Sequence, residues 1–258
     1  MKIGIISDIH ANLPALNAVL SHAGQNNVDI IYNLGDSIGY GAYPDQVIKF
    51  LISEKITSIL GNYDHKVLEV KKKANKWSKK KNPLKLFAFQ WTFEQLSSES
   101  IAFLKTLPES IYLNHQGFKI LLVHGSPASI DEPITEKTTV ERLSALAVIS
   151  EADIVLCGHS HQAFFKQRLN TIFINPGSVG RQNDGDPRTS YAILNIGERQ
   201  ISIQHFRIPY DLFNTLLEIN KQELPEEFAL MTLYGYDLNK IQKFMQTNES
   251  ISTIENIW

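Results

Sequence analysis

Apolar and polar positions alternate in blocks along the first third of the chain. The β-branched runs KIGIIS, DIIYNLG and ITSILG are separated by amphipathic stretches, ANLPALNAVLSHAGQ and PDQVIKFLISE. Short apolar runs between segments of helical periodicity predict βαβ units and a parallel sheet. Residues 66–108 read as helices, most clearly in SSESIAFLKTLP, where Ser97 or Ser98 caps and Pro108 stops the run. Strands return from residue 110 in SIYLNH and FKILLVHG, followed by a helix from about 136 to 150 and the strand DIVLCGHS. AFFKQRL and TIFINPG follow, joined by a short turn, and SYAILNIG with RQISIQHFRI reads as a hairpin through Gly197 and Glu198. Residues 208–258 carry two or three helices, IPYDLFNTLLEIN and YDLNKIQKFMQ being clearest, and end in a polar tail from Asn248 in which Trp258 is a docking candidate. With no internal repeat or low-complexity linker, the expectation is one domain over residues 1–207 and a helical extension over 208–258 packed on it.

Composition narrows the class without naming it. A hydrophobic fraction of 43% over 258 residues supports a substantial core, and a net charge of −2 gives no global pull toward nucleic acid or a membrane surface. The one cysteine, Cys157, sits in the apolar run DIVLCG and reads as a small buried hydrophobe. The opening apolar stretch breaks at Asp8, too short for a signal sequence, and no window approaches a membrane helix of about 18 apolar residues. A cytoplasmic protein is the default expectation.

The chemistry lies where the apolar runs stop. Alternate side chains of a strand share a face, so Asp8 and His10 are expected to project together from the first strand's end, either as a two-ligand claw or as a polar run into a turn. The same polarity follows every strand. Asp36 follows DIIYNLG, Asn62 with Tyr63, Asp64 and His65 follows ITSILG, and His124 follows FKILLV. His159 and His161 follow DIVLC, and Asn175 and Ser178 follow TIFI. If the strands lie side by side, one rim collects Asp8, His10, Asp36, Asn62, His124, His159 and His161. Such an oxygen and imidazole set exceeds the needs of one ion and suits two divalent ions about 3.5–4 Å apart, with Asp36 as the natural bridge. Only two carboxylates are present, so a loaded site is net positive and suited to phosphate.

In these blocks the chain resembles the calcineurin-like metallophosphoesterase superfamily: DIH at 8–10, GD at 35–36, GNYD at 61–64, VHG at 123–125 and GHSH at 158–161, in order, over residues 1 to about 207. DIHANLPAL, GDSIGYGAYPDQVI and NPGSVGRQNDGDPRTSYAIL are similar to its bacterial and archaeal predicted phosphodiesterase branch. The resemblance implies an α/β fold, a four-layer α/β/β/α sandwich with a C-terminal helical appendage. It also implies that Asp8, His10, Asp36 and His161 hold one ion and that Asp36, Asn62, His124 and His159 hold the other. A water shared by the ions, acidified toward neutrality, would attack a phosphodiester or phosphomonoester of a small or nucleotide-like molecule. Imidazole, carboxylate and amide ligands accommodate manganese, iron, zinc, cobalt or nickel.

The pattern departs at Tyr63, where many members of the superfamily carry a histidine that protonates the leaving group or binds phosphate. Tyrosine is a poorer proton donor near neutrality. His65 is the possible substitute, against the default of a solvent-facing histidine, and Asp64 is expected to position a neighbour. Because the fold also serves as a non-catalytic scaffold in the retromer, a binding scaffold stands as the second hypothesis and a nuclease as the third.

The nuclease reading rests on seven lysines between 71 and 81 with Trp77 among them, a solvated helix or a basic lip. Tyr40 and Tyr43 either line a pocket or pack, and Arg181 and Arg188 either grip phosphate or pair with Asp184 and Asp186. Asn175 and Ser178 either support GHSH or touch substrate. His22, His115 and His205 read as structural.

Overall fold

The computed structural model describes residues 1–197 and 200–247. Glu198 of the expected hairpin turn and the tail from Asn248, with Trp258, lie outside the described residues. The first βαβ units appear as β1 (Lys2–Ile6), α1 (Leu13–Gln25), β2 (Ile30–Asn33), α2 (Pro44–Ser53) and a short β3 (Thr57–Ser58). Three helices follow, α3 (Asn62–Trp77), α4 (Pro83–Gln95) and α5 (Ser98–Thr106). The second half comprises β4 (Ser110–His115), β5 (Phe118–Val123), α6 (Val140–Ser150), β6 (Ile154–Leu156), β7 (Phe164–Arg168), β8 (Thr171–Asn175), β9 (Thr189–Ile196) and β10 (Ile201–Ile208). It closes with α7 (Leu212–Lys221), α8 (Glu226–Tyr234) and α9 (Leu238–Gln246).

Helix starts follow local chemistry. Asn12 accepts from the Ala15 amide at 3.1 Å, with Pro14 in the first turn of α1. The helix expected from residue 136 begins at Val140, because Thr139 takes the cap position and accepts from the Arg142 amide.

The strands do not lie side by side in one parallel sheet. They form two five-stranded sheets, ordered β10-β9-β1-β2-β3 and β4-β5-β6-β8-β7. The βαβ segments pair in parallel as their pattern predicts, Ile5 opposite Tyr32 and Leu121 opposite Val155. The hairpins add antiparallel strands to these cores, β9 pairing with β1 and β4 with β5.

Period-two alternation stacks the layers. Ile3, Ile5, Ile120, Leu122, Ile154, Leu156, Ala192 and Leu194 meet between the sheets, all fully buried. The intervening side chains face outward: Ile6, Tyr191 and Ile193 pack under α1–α5, while Leu121, Val123, Val155 and Cys157 pack under α6. Each fully buried Ile or Leu contributes about 1.5–3 kcal/mol of hydrophobic stabilisation, so this double-faced patterning holds the α/β/β/α sandwich together. The C-terminal helices pack Leu216, Ile219, Phe228 and Met231 against Tyr40, Ala42 and Ala88, beside the strand ends. Among the described residues no helix is long and apolar enough to cross a membrane.

Candidate metal centre

The opening loops of both sheets meet at one end of the sandwich. β1 stops at Ile6, before Asp8 and His10, so strand alternation does not aim these side chains. Left-handed backbone does: φ is 55° at Asp8, 47° at His10, 53° at Asp36, 64° at His159 and 57° at His161. Aspartate and histidine tolerate this region better than most residues, yet each such position costs on the order of 1–3 kcal/mol and persists only where surroundings over-determine it. Here backbone bonds between loops do so. The amides of Asp8 and His10 donate to the carbonyls of Gly35 and Asp36, Gly158 N–H to His124 O, and Gly180 N–H to Asp8 O, all between 2.8 and 3.0 Å.

The side chains fall into two groups, Asp8 with His10 and His161, and Asp36 with His124 and His159, the ligand atoms of each lying within 4.8 Å of one another. Asp36 joins them. Its Oδ2 lies 3.4 Å from His124 Nε2 and 3.9 Å from His10 Nε2, while Oδ1 accepts the Tyr63 amide at the start of α3 at 2.6 Å. That helix N-terminus favours the negative charge. Asp8 is divided in the same way, with Oδ2 accepting from the His159 amide at 3.0 Å and Oδ1 facing His161 Nε2 at 3.2 Å.

Hydrogen bonds also set the histidines. His124 Nδ1 donates to Leu34 O at 2.8 Å and His161 Nδ1 to Arg181 O, which turns each Nε2 lone pair inward. His159 Nε2 meets Asp131 O at 3.2 Å, and the residue belongs to the second group. Asn62 Nδ2 donates to Asp131 Oδ1 at 2.6 Å, so its Oδ1 points away from that bond and has no partner.

Glycines let these loops close. A Cβ on Gly61 would stand 1.9 Å from the Asp36 amide nitrogen and 2.2 Å from its Oδ1, and one on Gly158 would stand 1.9 Å from Ser7 Oγ. Asp64 accepts from the amides of Gly61 at 2.9 Å and Ile38 at 3.2 Å, and burial followed by the Asp36 charge pushes its carboxyl up to about 7. Asn175 donates to Gly158 O at 2.7 Å and Ser160 Oγ at 3.0 Å, and Ser178 donates to Asp8 O at 2.9 Å. Both side chains are buried and hold the ligand loops from behind.

Other candidates separate clearly. Burial first and then Tyr40 raise the Tyr63 hydroxyl well above its ordinary range, and this hydroxyl lies 3.2 Å from that of Tyr40. The Tyr63 ring meets His10 edge-on at 5.2 Å. His65 is carried one turn into α3 and is half-buried, with no hydrogen bond to the centre among the described residues. Arg188 pairs with Asp186 at 2.6 Å. Arg181 takes neither aspartate: its guanidinium lies 4.3 Å from the Tyr40 ring centre, and Asp184 pairs with Arg207. Tyr43 packs between α1–α5 and the C-terminal helices. His22, His115 and His205 bond Tyr191, Tyr32 and the Asn175 carbonyl. Cys157 is fully buried, which pushes its thiol up and leaves it inert.

Sequence reasoning missed Asp131. It stands in the middle of the irregular loop between β5 and α6, well past the strand's end, so no periodic signal marks it. Only the tertiary contact with Asn62 and His159 shows its place.

The donor set fits divalent cations. Asp8 Oδ1, Asn62 Oδ1 and His124 Nε2 are buried acceptors without a hydrogen-bond partner among the described residues. Lone pairs brought this close repel unless a proton or a cation stands between them. Burial lowers the His124 imidazole, yet the Asp36 carboxylate outweighs it and drives the group up to about 9. Imidazole, carboxylate and amide donors without thiolate suit first-row divalent metals.

Fold and site together define the metallophosphoesterase class. A sequence model described as the calcineurin-like phosphoesterase superfamily domain matches residues 1–199, and the chain belongs to that family. It is similar to the uncharacterized protein MJ0912 of Methanocaldococcus jannaschii, 32% identical over 241 residues that cover 87% of this chain and 94% of the relative. It is also similar to phosphodiesterase YfcE of Escherichia coli, 24% identical over 199 residues, covering 76% of this chain and 88% of the relative. The crystal structure of a metallophosphoesterase from Sphaerobacter thermophilus superposes with a TM-score of 0.76 at 30% identity, covering 91% of this chain and 99% of that one.

Proposed function

We propose that this protein is a dinuclear metal-dependent phosphoester hydrolase acting on small phosphorylated molecules, with phosphodiesters favoured. The observation that carries the reading is Asp36 Oδ2, set 3.4 Å from His124 Nε2 and 3.9 Å from His10 Nε2 between two donor groups. Asp8, His10, Asp36 and His161 would hold one ion, and Asp36, Asn62, His124 and His159 the other, with manganese, iron, zinc, cobalt or nickel as candidates. When bound, the ions supply Lewis acidity toward phosphoryl oxygens and a water acidified toward neutrality.

The chain's own residues set the rest. Tyr63 N–H and the α3 N-terminus fix the bridging carboxylate, and Asp131 fixes the Asn62 amide with its oxygen inward. Arg181 has no carboxylate partner among the described residues, and its Nε is buried without a hydrogen-bond partner. It is therefore available to a phosphoryl oxygen. The buried Tyr63 hydroxyl is a poor proton donor, so esters with acidic leaving groups are cleaved best.

The test is purification, elemental analysis, and hydrolysis of p-nitrophenyl mono- and diesters with added manganese. About two equivalents of metal per chain and diester cleavage are expected. A protein that binds both ions and stays inert with every metal overturns the reading in favour of a binding scaffold, the alternative that Tyr63 supports.

A further inference from the structure

Six of the seven lysines between 71 and 81 are taken up on the helix surface or by solvent. Lys72 and Lys73 lie beside Glu69, Lys71 covers the Phe93 ring, and Lys76, Lys79 and Lys80 are exposed. Lys81 turns back. Its Nζ lies 5.0 Å from the Trp77 ring centre and 5.9 Å from that of Phe89.

Those rings begin an aromatic file that ends at the metal centre. Trp77 meets Phe89 at 5.9 Å, Phe89 meets Tyr63 at 5.1 Å, and Tyr63 meets His10 at 5.2 Å. Cations flank the file throughout. Lys66 Nζ lies 5.6 Å from the Tyr63 ring, and the Arg181 guanidinium lies 4.3 Å from Tyr40 and 5.9 Å from Tyr63. Lys85, half-buried in the first turns of α4, lies in electrostatic reach of Arg181, Lys81 and Lys66. Burial, and next the Arg181 charge, lower its ammonium from the ordinary value, while burial and then Lys66 and Lys85 do the same to Lys81.

Of these cations only Lys66 is paired with an acid among the described residues. Asp131 pairs with Lys66 at 2.8 Å and also holds Asn62, and Asp237 accepts the Lys240 amide as the cap of α9. Among the described residues Arg181, Lys81 and Lys85 make no ion pair. Partly desolvated like charges repel, and an anionic ligand relieves that cost.

We propose that Arg181, Lys85 and Lys81 form an anion trough leading from the His10 side of the metal centre, and that it seats a second phosphate of the substrate. The substrate class is then a small molecule carrying two or more phosphate groups. The inference rests on the phosphoesterase reading of the centre, which supplies the position of the first phosphate.

The experiment compares inorganic phosphate with methylenediphosphonate on the manganese-loaded full chain at buffered free manganese. Competitive inhibition of p-nitrophenyl diester hydrolysis and thermal stabilisation are both read. The wild type is expected to prefer methylenediphosphonate about tenfold or more, the gain of a charge-assisted contact. The double variant Lys81→Met/Lys85→Met should lose that preference with its manganese content and phosphate inhibition unchanged. Lys81→Arg/Lys85→Arg should keep the preference, which a merely structural role would not require, and Arg181→Gln should weaken both ligands.

Equal affinity for the two ligands in the wild type, or a preference that survives Lys81→Met/Lys85→Met, overturns the trough. So does salt-dependent oligonucleotide binding through these lysines without any preference for the diphosphonate. Absence of hydrolysis with any metal would instead strike the phosphoesterase reading, and the thermal measurement would still report on the trough.

Discussion

At the residue scale, the site is assembled from side chains whose two polar ends do different work. Asp8 and Asp36 each give one oxygen to a backbone amide and keep the other for the centre, and His124 and His161 each give Nδ1 to a carbonyl and keep Nε2. Asp36→Ala is therefore expected to reduce the bound metal at both positions and abolish turnover, whereas His124→Ala should lower metal content mainly at one. Elemental analysis alongside far-ultraviolet circular dichroism separates these outcomes from unfolding. Gly61→Ala adds a single methyl that must displace Asp36, so activity should fall at least about a hundredfold, as expected for a misplacement near 1 Å. Tyr63 gives a gain-of-function test. Tyr63→His restores a group that titrates near neutrality, and the ratio of alkyl-ester to aryl-ester turnover should rise, whereas an unchanged ratio would count against the leaving-group argument. The candidate ligands were legible as residue types because each follows an apolar run. The left-handed conformations of Asp8, His10, Asp36, His159 and His161 were not, since φ is decided by the loop-to-loop bonds that hold it.

At the element scale, the C-terminal helices are part of the wall around the centre. Phe228 on α8 is 2% exposed and meets Tyr40 edge-on at 5.0 Å, and Tyr40 in turn carries Arg181. Phe228→Ala should cost about 3–5 kcal/mol in denaturant unfolding and also raise KM, because the Tyr40 and Arg181 pair loses its backing. Asp45 performs a similar task between α2 and α5, accepting the Ser97 amide at 2.8 Å, Ser100 Oγ at 2.6 Å and Lys49 Nζ at 2.8 Å. Burial raises its carboxyl, but the hydrogen bonds from Lys49, Ser100 and Ser97 outweigh this and hold it well below the usual carboxylate range. A depressed folded-state pKa gives stability that is present above the unfolded value near 4 and lost as pH falls toward the folded one. Asp45→Asn should therefore destabilise by about 1–3 kcal/mol at pH 7 and by less at pH 3, measured by urea midpoints at both. The helices were visible as periodic patterns with caps, and the bond between α2 and α5 was not, because the two helices are distant in sequence and Asp45 reads as an ordinary first-turn acid.

At the scale of the whole molecule, the centre ties the two sheets together. Asp8, His10, Asp36 and Asn62 follow strands of one sheet, and His124, His159 and His161 follow strands of the other, so a bound ion in either group links both halves. Chelation should lower the Tm and re-addition of manganese should restore it. At a free-metal concentration a thousandfold above Kd, the linkage is about 4 kcal/mol, and a Tm indifferent to chelator would contradict a shared centre. The amino-acid sequence by itself determined the kinds of element, the alternation that gives each strand an inner and an outer face, and the chemistry standing at each strand's end. These are local properties, fixed by side-chain type and spacing. Only the tertiary structure decided which strands join which sheet, that Arg181 faces Tyr40 while Asp184 goes to Arg207, that Asp131 reaches Asn62, and that Lys81 turns back onto Trp77 and Phe89. Those outcomes depend on contacts between residues far apart along the chain, where the lowest free energy is set by which loops share a backbone hydrogen bond and which charges share a pocket.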